Sequence, residues 1–376
     1  MKKIPSDSLG SKAVTLRLPI ERSRQFWLTV LAATFLTISG VTVAQTQITH
    51  WKAGTFVYTA DEHGNSISAI DLATGSVTTT PVPISPHNVQ ITADGSRILA
   101  VGEPAADGHG HGHGGTDEGH GATEAKGFLL VFDATALGLE PIAKIPVGTH
   151  PAHVVVEQSG ARAFVTNAGD NSVSVIDLAT KALIANIDTG RYPHGIRMSP
   201  DGREIYVANV EDGTLSVIDA KGLTEIARIP VGNTPVQVGF TPDGSWVYVS
   251  LREENRVAVV DTSTRNLIGS IEVGRNPIQV YATPDGRSVY VANQGSADEP
   301  ADTVSVIDVA SRTVVNTIRT GMGAHGVVVA DDSDWAFVTN IMDGTVSAIE
   351  VATGNVIASF PVGRGPNGIT YRSPKQ

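Results

Sequence analysis

The chain contains no cysteine. That excludes disulfides, thiolate metal sites, c-type haem attachment and a lipidated N-terminal cysteine, so any bound metal must rely on imidazole, carboxylate or thioether groups. Aromatic residues make up only 5% and charged residues 17%, and the formal net charge is −11. Single-stranded nucleic acid calls for a basic track with exposed aromatics, and an acidic chain repels phosphate backbones, so nucleic acid is not expected as a partner. What is plentiful is turn and strand chemistry: 39 Gly and 20 Pro among many Val, Ile and Thr. This points to short strands joined by tight turns, an all-β chain.

Long apolar runs are also scarce, with one exception near the start. Lys2, Lys3, Lys12, Arg17, Arg22 and Arg24 precede "FWLTVLAATFLTI" and then small residues, the pattern of an export signal over residues 1–44 with cleavage after Ala44. Residues 26–44 carry no charge and are just long enough to span a bilayer, so an uncleaved anchor is the alternative, and membrane contact is expected only in that case. Removing this +4 segment takes the formal charge from −11 to −15. The expected destination is the periplasm or the exterior.

One phrase recurs seven times: "AIDLATG", "VFDATAL", "VIDLATK", "VIDAKGL", "VVDTSTR", "VIDVASR" and "AIEVATG", with its acidic residue at Asp71, Asp133, Asp177, Asp219, Asp261, Asp308 and Glu350. The spacings are 62, 44, 42, 42, 47 and 42, so the period is 42 residues and the exceptions are insertions. Each period reads as four strands, here called A to D, as in "PHGIRMS", "EIYVAN", "TLSVIDA" and "EIARIPVG". Four strands in about 40–45 residues is the signature of a propeller blade. Seven units predict a seven-bladed β-propeller over residues 48–376, four antiparallel strands per blade. The chain enters at a strand B ("TFVYTA") and leaves after a strand A ("PNGITYRSP"), so the two ends should share the last blade and close the ring. The "PDG" turns and the "VID" aspartates have structural explanations in turn chemistry.

The "FVTN", "YVAN", "VSVIDLAT" and "SPDG" phrases resemble those of the YVTN family of β-propeller repeat proteins. The resemblance covers all seven units and implies the fold. It implies little about function, because the family spans surface proteins, periplasmic proteins and relatives of enzymes.

Histidine is distributed unevenly over this scheme. In a four-stranded blade the B-to-C turns and the D-to-A crossovers lie on one face of the disc. His87, His150, His153, His194 and His325 fall in or just after crossovers, and His63 falls in a B-to-C turn. His109, His111, His113 and His120 belong to "DGHGHGHGGTDEGHG", part of an insert at 105–126 in the B-to-C turn of the first blade. Alternating Gly and His cannot bury a core, and the insert is expected to be disordered, with modest metal affinity and fast exchange. Most acidic B-to-C turn residues share the face, which should make it negative.

Aligning the crossovers gives two columns at the start of strand A. The first is His87, Ala152, His194, Val236, Ile278, His325 and Asn367 in blades one to seven; the second is Asn88, His153, Gly195, Gln237, Gln279, Gly326 and Gly368. Both columns should ring the channel mouth. Ten of the eleven histidines are then candidate ligands, although a His in such a "PHG" phrase can equally serve only to satisfy backbone groups.

Imidazole and carboxylate without thiolate suit zinc, nickel or copper. Zinc comes first, and Met322 and Met342 on the same face keep copper open. Three functional readings follow. The first is an exported, non-enzymatic metal binder; it is similar in organisation to periplasmic zinc metallochaperones that pair a propeller with a His-rich loop, which would imply a periplasmic metal-binding or transport protein as partner. The second is an interaction scaffold for a peptide, glycan or envelope protein. The third is a metal-dependent hydrolase like the seven-bladed lactonases, against which stands the lack of Asp or Glu in both mouth columns.

Overall fold

The computed structural model describes residues 50–105, 126–134 and 140–374. These form seven four-stranded antiparallel sheets, with a single 3-10 turn, Glu62–Gly64, as the helical element among the described residues. Blade 3 shows the pattern. Strands A to D are Pro193–Met198, Glu204–Asn209, Thr214–Asp219 and Thr224–Pro230, adjacent in that order. The last blade is built from both ends of the chain: Pro366–Arg372 pairs with Phe56–Asp61, which pairs with Ser66–Asp71 and then Ser76–Pro81. The closure expected from the sequence is therefore present, with the innermost strand of that blade supplied by the C-terminal strand. No helix among the described residues is long and apolar enough to cross a membrane.

The cores lie between blades. Strands B and C are buried on both faces, which is why "EIYVAN" and "TLSVID" are apolar almost throughout rather than alternating. Tyr206, Ala208, Leu215 and Val217 of blade 3 pack against Val238, Val247, Val249 and Val260 of blade 4, and equivalent clusters fill the other seams. The repeated turn residues behave as their chemistry requires. Gly202, Gly244 and Gly286 have φ of +71, +73 and +72°, a region glycine enters without strain. Asp177 accepts from the Ala179 and Thr180 amides at 3.0 and 2.7 Å, and Asp71 and Asp261 do the same in their blades.

Two recurring devices aim side chains at the axis. The first is a bulge: pairing between strands A and B slips between the opening residue and the third residue after it, as at Pro193/Ile196, Pro235/Val238, Pro277/Val280 and Ala324/Val327. The two residues left out of register are those of the two mouth columns, and bulges of this kind redirect side chains. The second is a hydroxyl that ties neighbouring strands A together. Thr166 accepts from the His153 amide at 3.0 Å and donates to the His194 carbonyl at 2.7 Å, while Ser250 joins Gln237 to Ile278 in the same way.

Strand B ends in Asn in four blades (Asn167, Asn209, Asn293, Asn340), each donating from Nδ2 to hydroxyls of strand C. The closing blade has Asp61 there instead, fully buried, accepting from Thr59, Ser66 and Ser68 at 2.7, 3.1 and 2.6 Å. Burial raises its pKa, outweighing these donors. A raised folded pKa stabilises the protein below the unfolded value and loses that benefit as pH rises, so at neutral pH the carboxylate is a net cost. Asp61→Asn, which copies the other blades, is expected to stabilise the protein at pH 7.5 by about 1 kcal/mol, the scale of one buried hydrogen bond. The gain should vanish below pH ~4, near the ordinary Asp pKa. Urea melts at both pH values check this; destabilisation at pH 7.5 would contradict it.

Candidate metal centre in the channel mouth

His87, His153 and His194 come from strands A of three consecutive blades, Ile84–Ile91, Pro151–Val156 and Pro193–Met198. The bulges turn all three inward, and one nitrogen from each lies within 4.8 Å of the other two. Their ring centroids are 5.6, 5.2 and 4.9 Å apart, each pair edge-on.

The outer partners of the rings decide their tautomers. Nδ1 of His194 lies 3.2 Å from the Val236 carbonyl, which can only accept, so Nδ1 carries the proton. Nδ1 of His87 lies 3.1 Å from Oε1 of Glu62, and the same reasoning applies. Asn367 Nδ2 also approaches that nitrogen at 3.1 Å, but it donates to Glu62 Oε2 at 2.6 Å, and the charge-assisted bond from imidazole to carboxylate prevails. Both rings therefore present a bare Nε2 lone pair, and the two Nε2 atoms face each other at 3.2 Å. Two nitrogens bound to one tetrahedral zinc at about 2.0–2.1 Å would be roughly 3.3–3.4 Å apart.

His153 is 3% exposed and is contacted at Nδ1 by Gln237 Nε2, 3.3 Å away. Gly195 makes room for that amide, since a Cβ there would run into Gln237 Oε1. Burial holds the pKa of His194 down to about 3 and that of His153 well below the ordinary value, with the neighbouring imidazoles adding to the effect. Both are neutral, ligand-ready bases at physiological pH.

The remaining candidates separate. His325 is 7% exposed, its pKa is lowered to about 4, chiefly by burial, and its Nδ1 is buried without a hydrogen-bond partner among the described residues. It stands outside the three-residue group. His150 adopts φ +46° and pairs with Glu103 at 2.5 Å, and His63 lies over Gly365 with its carbonyl bonded to Arg364. His109, His111, His113 and His120 fall outside the described residues, as does the export segment. Met322 and Met342 are exposed on blade 6, away from the three blades that supply the cluster.

The structure adds what the columns could not show. Glu62 belongs to a B-to-C turn, yet it reaches into the mouth, 8% exposed. Its amide donates to the Gly365 carbonyl and its carbonyl accepts from Ser85, so ring closure itself places the carboxylate behind His87. The expected negative face is also qualified. Asp170, Asp212, Glu254 and Asp343 accept from the crossover amides of Thr149, Arg191, Asn233 and Met322, and Arg191, Arg275 and Arg319 pair with Asp212, Glu299 and Asp302. Those carboxylates brace crossovers and balance arginines instead of forming an open cation field.

Comparison with known proteins gives the fold a family. The chain matches no curated protein. It resembles solved structures at low identity: hydrazine synthase of Kuenenia stuttgartiensis (19% identical, 77% of this chain and 95% of that one, TM-score 0.62). A functionally unknown protein from Desulfotomaculum acetoxidans is 17% identical over 85% of this chain and 99% of that one, with a TM-score of 0.69. A protein from Bacteroides fragilis with a provisional 6-phosphogluconolactonase assignment is 15% identical over 85% and 98%, with a TM-score of 0.66. At these identities the likeness is one of fold alone. The family model of YNCE-like β-propellers matches residues 134–258 and 226–376, together more than half the chain, and the protein, a closed seven-bladed propeller, belongs to the YNCE-like β-propeller family.

Proposed function

We propose that this propeller binds a transition-metal ion as cargo at His87, His153 and His194, with zinc the ion best matched to three neutral imidazoles. The observation that carries the reading is the pair of Nε2 lone pairs held 3.2 Å apart with a third imidazole nitrogen within 4.8 Å. Two facing lone pairs repel, and a cation between them removes the repulsion. The carboxylate behind His87 and the carbonyl behind His194 are the outer contacts that raise ligand basicity in metal sites. Three protein ligands leave a position open, which suits an ion that must be released again.

In sequence the His-rich insert falls between two strands of blade 1, Arg97–Pro104 and Lys126–Asp133, the blade that also carries His87. Its role in this proposal is to capture ions loosely and pass them to the rigid cluster. The ion would then move on to a periplasmic metal-binding or transport protein, after export directed by the N-terminal segment. Hydrolysis fits less well, because the mouth carboxylate, Glu62, is already held by His87 and Asn367 and is a poor candidate for a free base.

Competitive titration with Zn²⁺, Cu²⁺ and Ni²⁺ tests the proposal. Deleting residues 105–126 is expected to remove only weak, fast-exchanging sites and to leave one tight stoichiometric site, zinc-preferring over nickel. No stoichiometric binding at neutral pH, or loss of the tight site with the loop, would reject the two-tier scheme.

A further inference from the structure

Below the imidazoles the channel turns from acceptors to donors. Arg197 sits three residues beyond His194 on the same strand and is part-buried along the channel wall. Its charge reaches His153, and its guanidinium lies 5.9 Å from the ring of Tyr281, which projects from blade 5. Its one hydrogen bond among the described residues is from Nη1 to the neighbouring Ile196 carbonyl at 3.2 Å, and no carboxylate there pairs with it. The contrast with Arg191, Arg228, Arg275 and Arg319, all paired to carboxylates, is marked. Gln279 belongs to the same column as His153, is 4% exposed, and its amide makes no hydrogen bond within the described residues.

A part-buried guanidinium without a counter-charge is costly, and Gln279, two residues before Tyr281, shares the strand face whose ring stands beside Arg197; donors on one wall without an acceptor describe an anion site. We infer that the channel beside the imidazole cluster binds a small organic carboxylate, with Gln279 at the level of the imidazoles and Arg197 further along strand A as donors, and one carboxylate oxygen directed to the open position of the metal. The planar fork of a guanidinium matches the two oxygens of a carboxylate. A phosphate dianion fits less well, because the Glu62 carboxylate shares the mouth and opposes a second negative charge. The part of the inference that involves the metal rests on the proposed function; the donor set does not.

Acetate is the probe, titrated by saturation-transfer NMR into the full chain with and without one equivalent of Zn²⁺, with inorganic phosphate as the competing anion. Arg197→Gln is expected to weaken acetate at least about tenfold, the scale of a lost charge-assisted bond, in both metal-free and zinc-loaded protein. Arg197→Lys is expected to restore only part of the affinity lost in Arg197→Gln, since an ammonium keeps the charge but not the planar fork, and zinc is expected to tighten acetate in the wild type. Gln279→Leu, which leaves every arginine in place, should weaken acetate as well and serves if Arg197→Gln does not fold. Acetate binding indifferent to both substitutions, or phosphate bound in preference to acetate, overturns the inference even if zinc binds. Failure of zinc to bind, with acetate still dependent on Arg197, overturns the metal reading and leaves the anion site standing.

Discussion

Replacing His87, His153 and His194 together by alanine is expected to abolish tight zinc binding while leaving the weak sites of the insert untouched. Structural zinc sites bind with about 10–16 kcal/mol spread over four ligands, or about 3 kcal/mol per ligand. His194→Ala alone should therefore weaken zinc by about two orders of magnitude. The expected loss stands at the upper end of that from altering an outer contact such as Glu62, where about 10–100-fold is usual. Alanine at these positions leaves the Thr166 hydroxyl bridge intact, because it joins the His153 amide to the His194 carbonyl and not their rings. The blades should thus stay in place, and near-ultraviolet circular dichroism can verify this. Zinc affinity unchanged in the folded triple variant would dismiss the cluster as a ligand set.

The fold is readable from the sequence because each blade repeats one rule. A 42-residue period, a turn aspartate and a doubly buried strand pair recur until the ring closes, and even the shared last blade follows from where the chain enters and leaves. The site is readable only in part. His87 and His194 share a column and are visible as a pair, but His153 lies one residue further along, and its convergence depends on the bulge that frees two successive positions from pairing. Glu62 looks like any acidic turn residue until ring closure sets it behind His87. The opposite holds for Asp170, Asp212, Glu254 and Asp343, whose placement on the histidine face suggests a field, whereas each caps a crossover amide. Position on a face follows from topology; the direction of a side chain depends on local register and partners, which a one-dimensional pattern does not encode.

Acidification is expected to destabilise the metal-free protein steeply between about pH 6.5 and pH 4, bracketing the ordinary His pKa. In the folded state burial holds His194 to about 3 and His325 to about 4, with His153 also far below its ordinary value of 6.5. The unfolded chain takes up protons at these residues near pH 6.5 while the folded chain does not, so it binds more protons and stability falls as pH falls. Above pH ~6.5 the contribution is fully present. At ~1.36 kcal/mol for each pH unit separating the folded and unfolded pKa, His325 alone contributes about 3 kcal/mol that is gone by pH 4. The cluster residues repel one another when charged and cannot be summed independently, which places the whole effect on the order of 5 kcal/mol. Asp61 acts in the opposite sense at the acid end of the range, since its raised folded pKa means that protonation there favours the folded state. Urea melts at pH 7.5, 6, 5 and 4.5 check the sign. In the triple alanine variant His325 alone of the three low-pKa histidines remains, so the acid slope should fall to roughly three fifths of the wild-type slope or less, because removing His87 also removes one cause of the low His325 pKa. Stability that is flat from pH 6.5 to 4.5 would mean that these imidazoles are hydrated and protonate freely, and the lone pairs facing each other in the mouth would then be taken by protons before any metal could reach them.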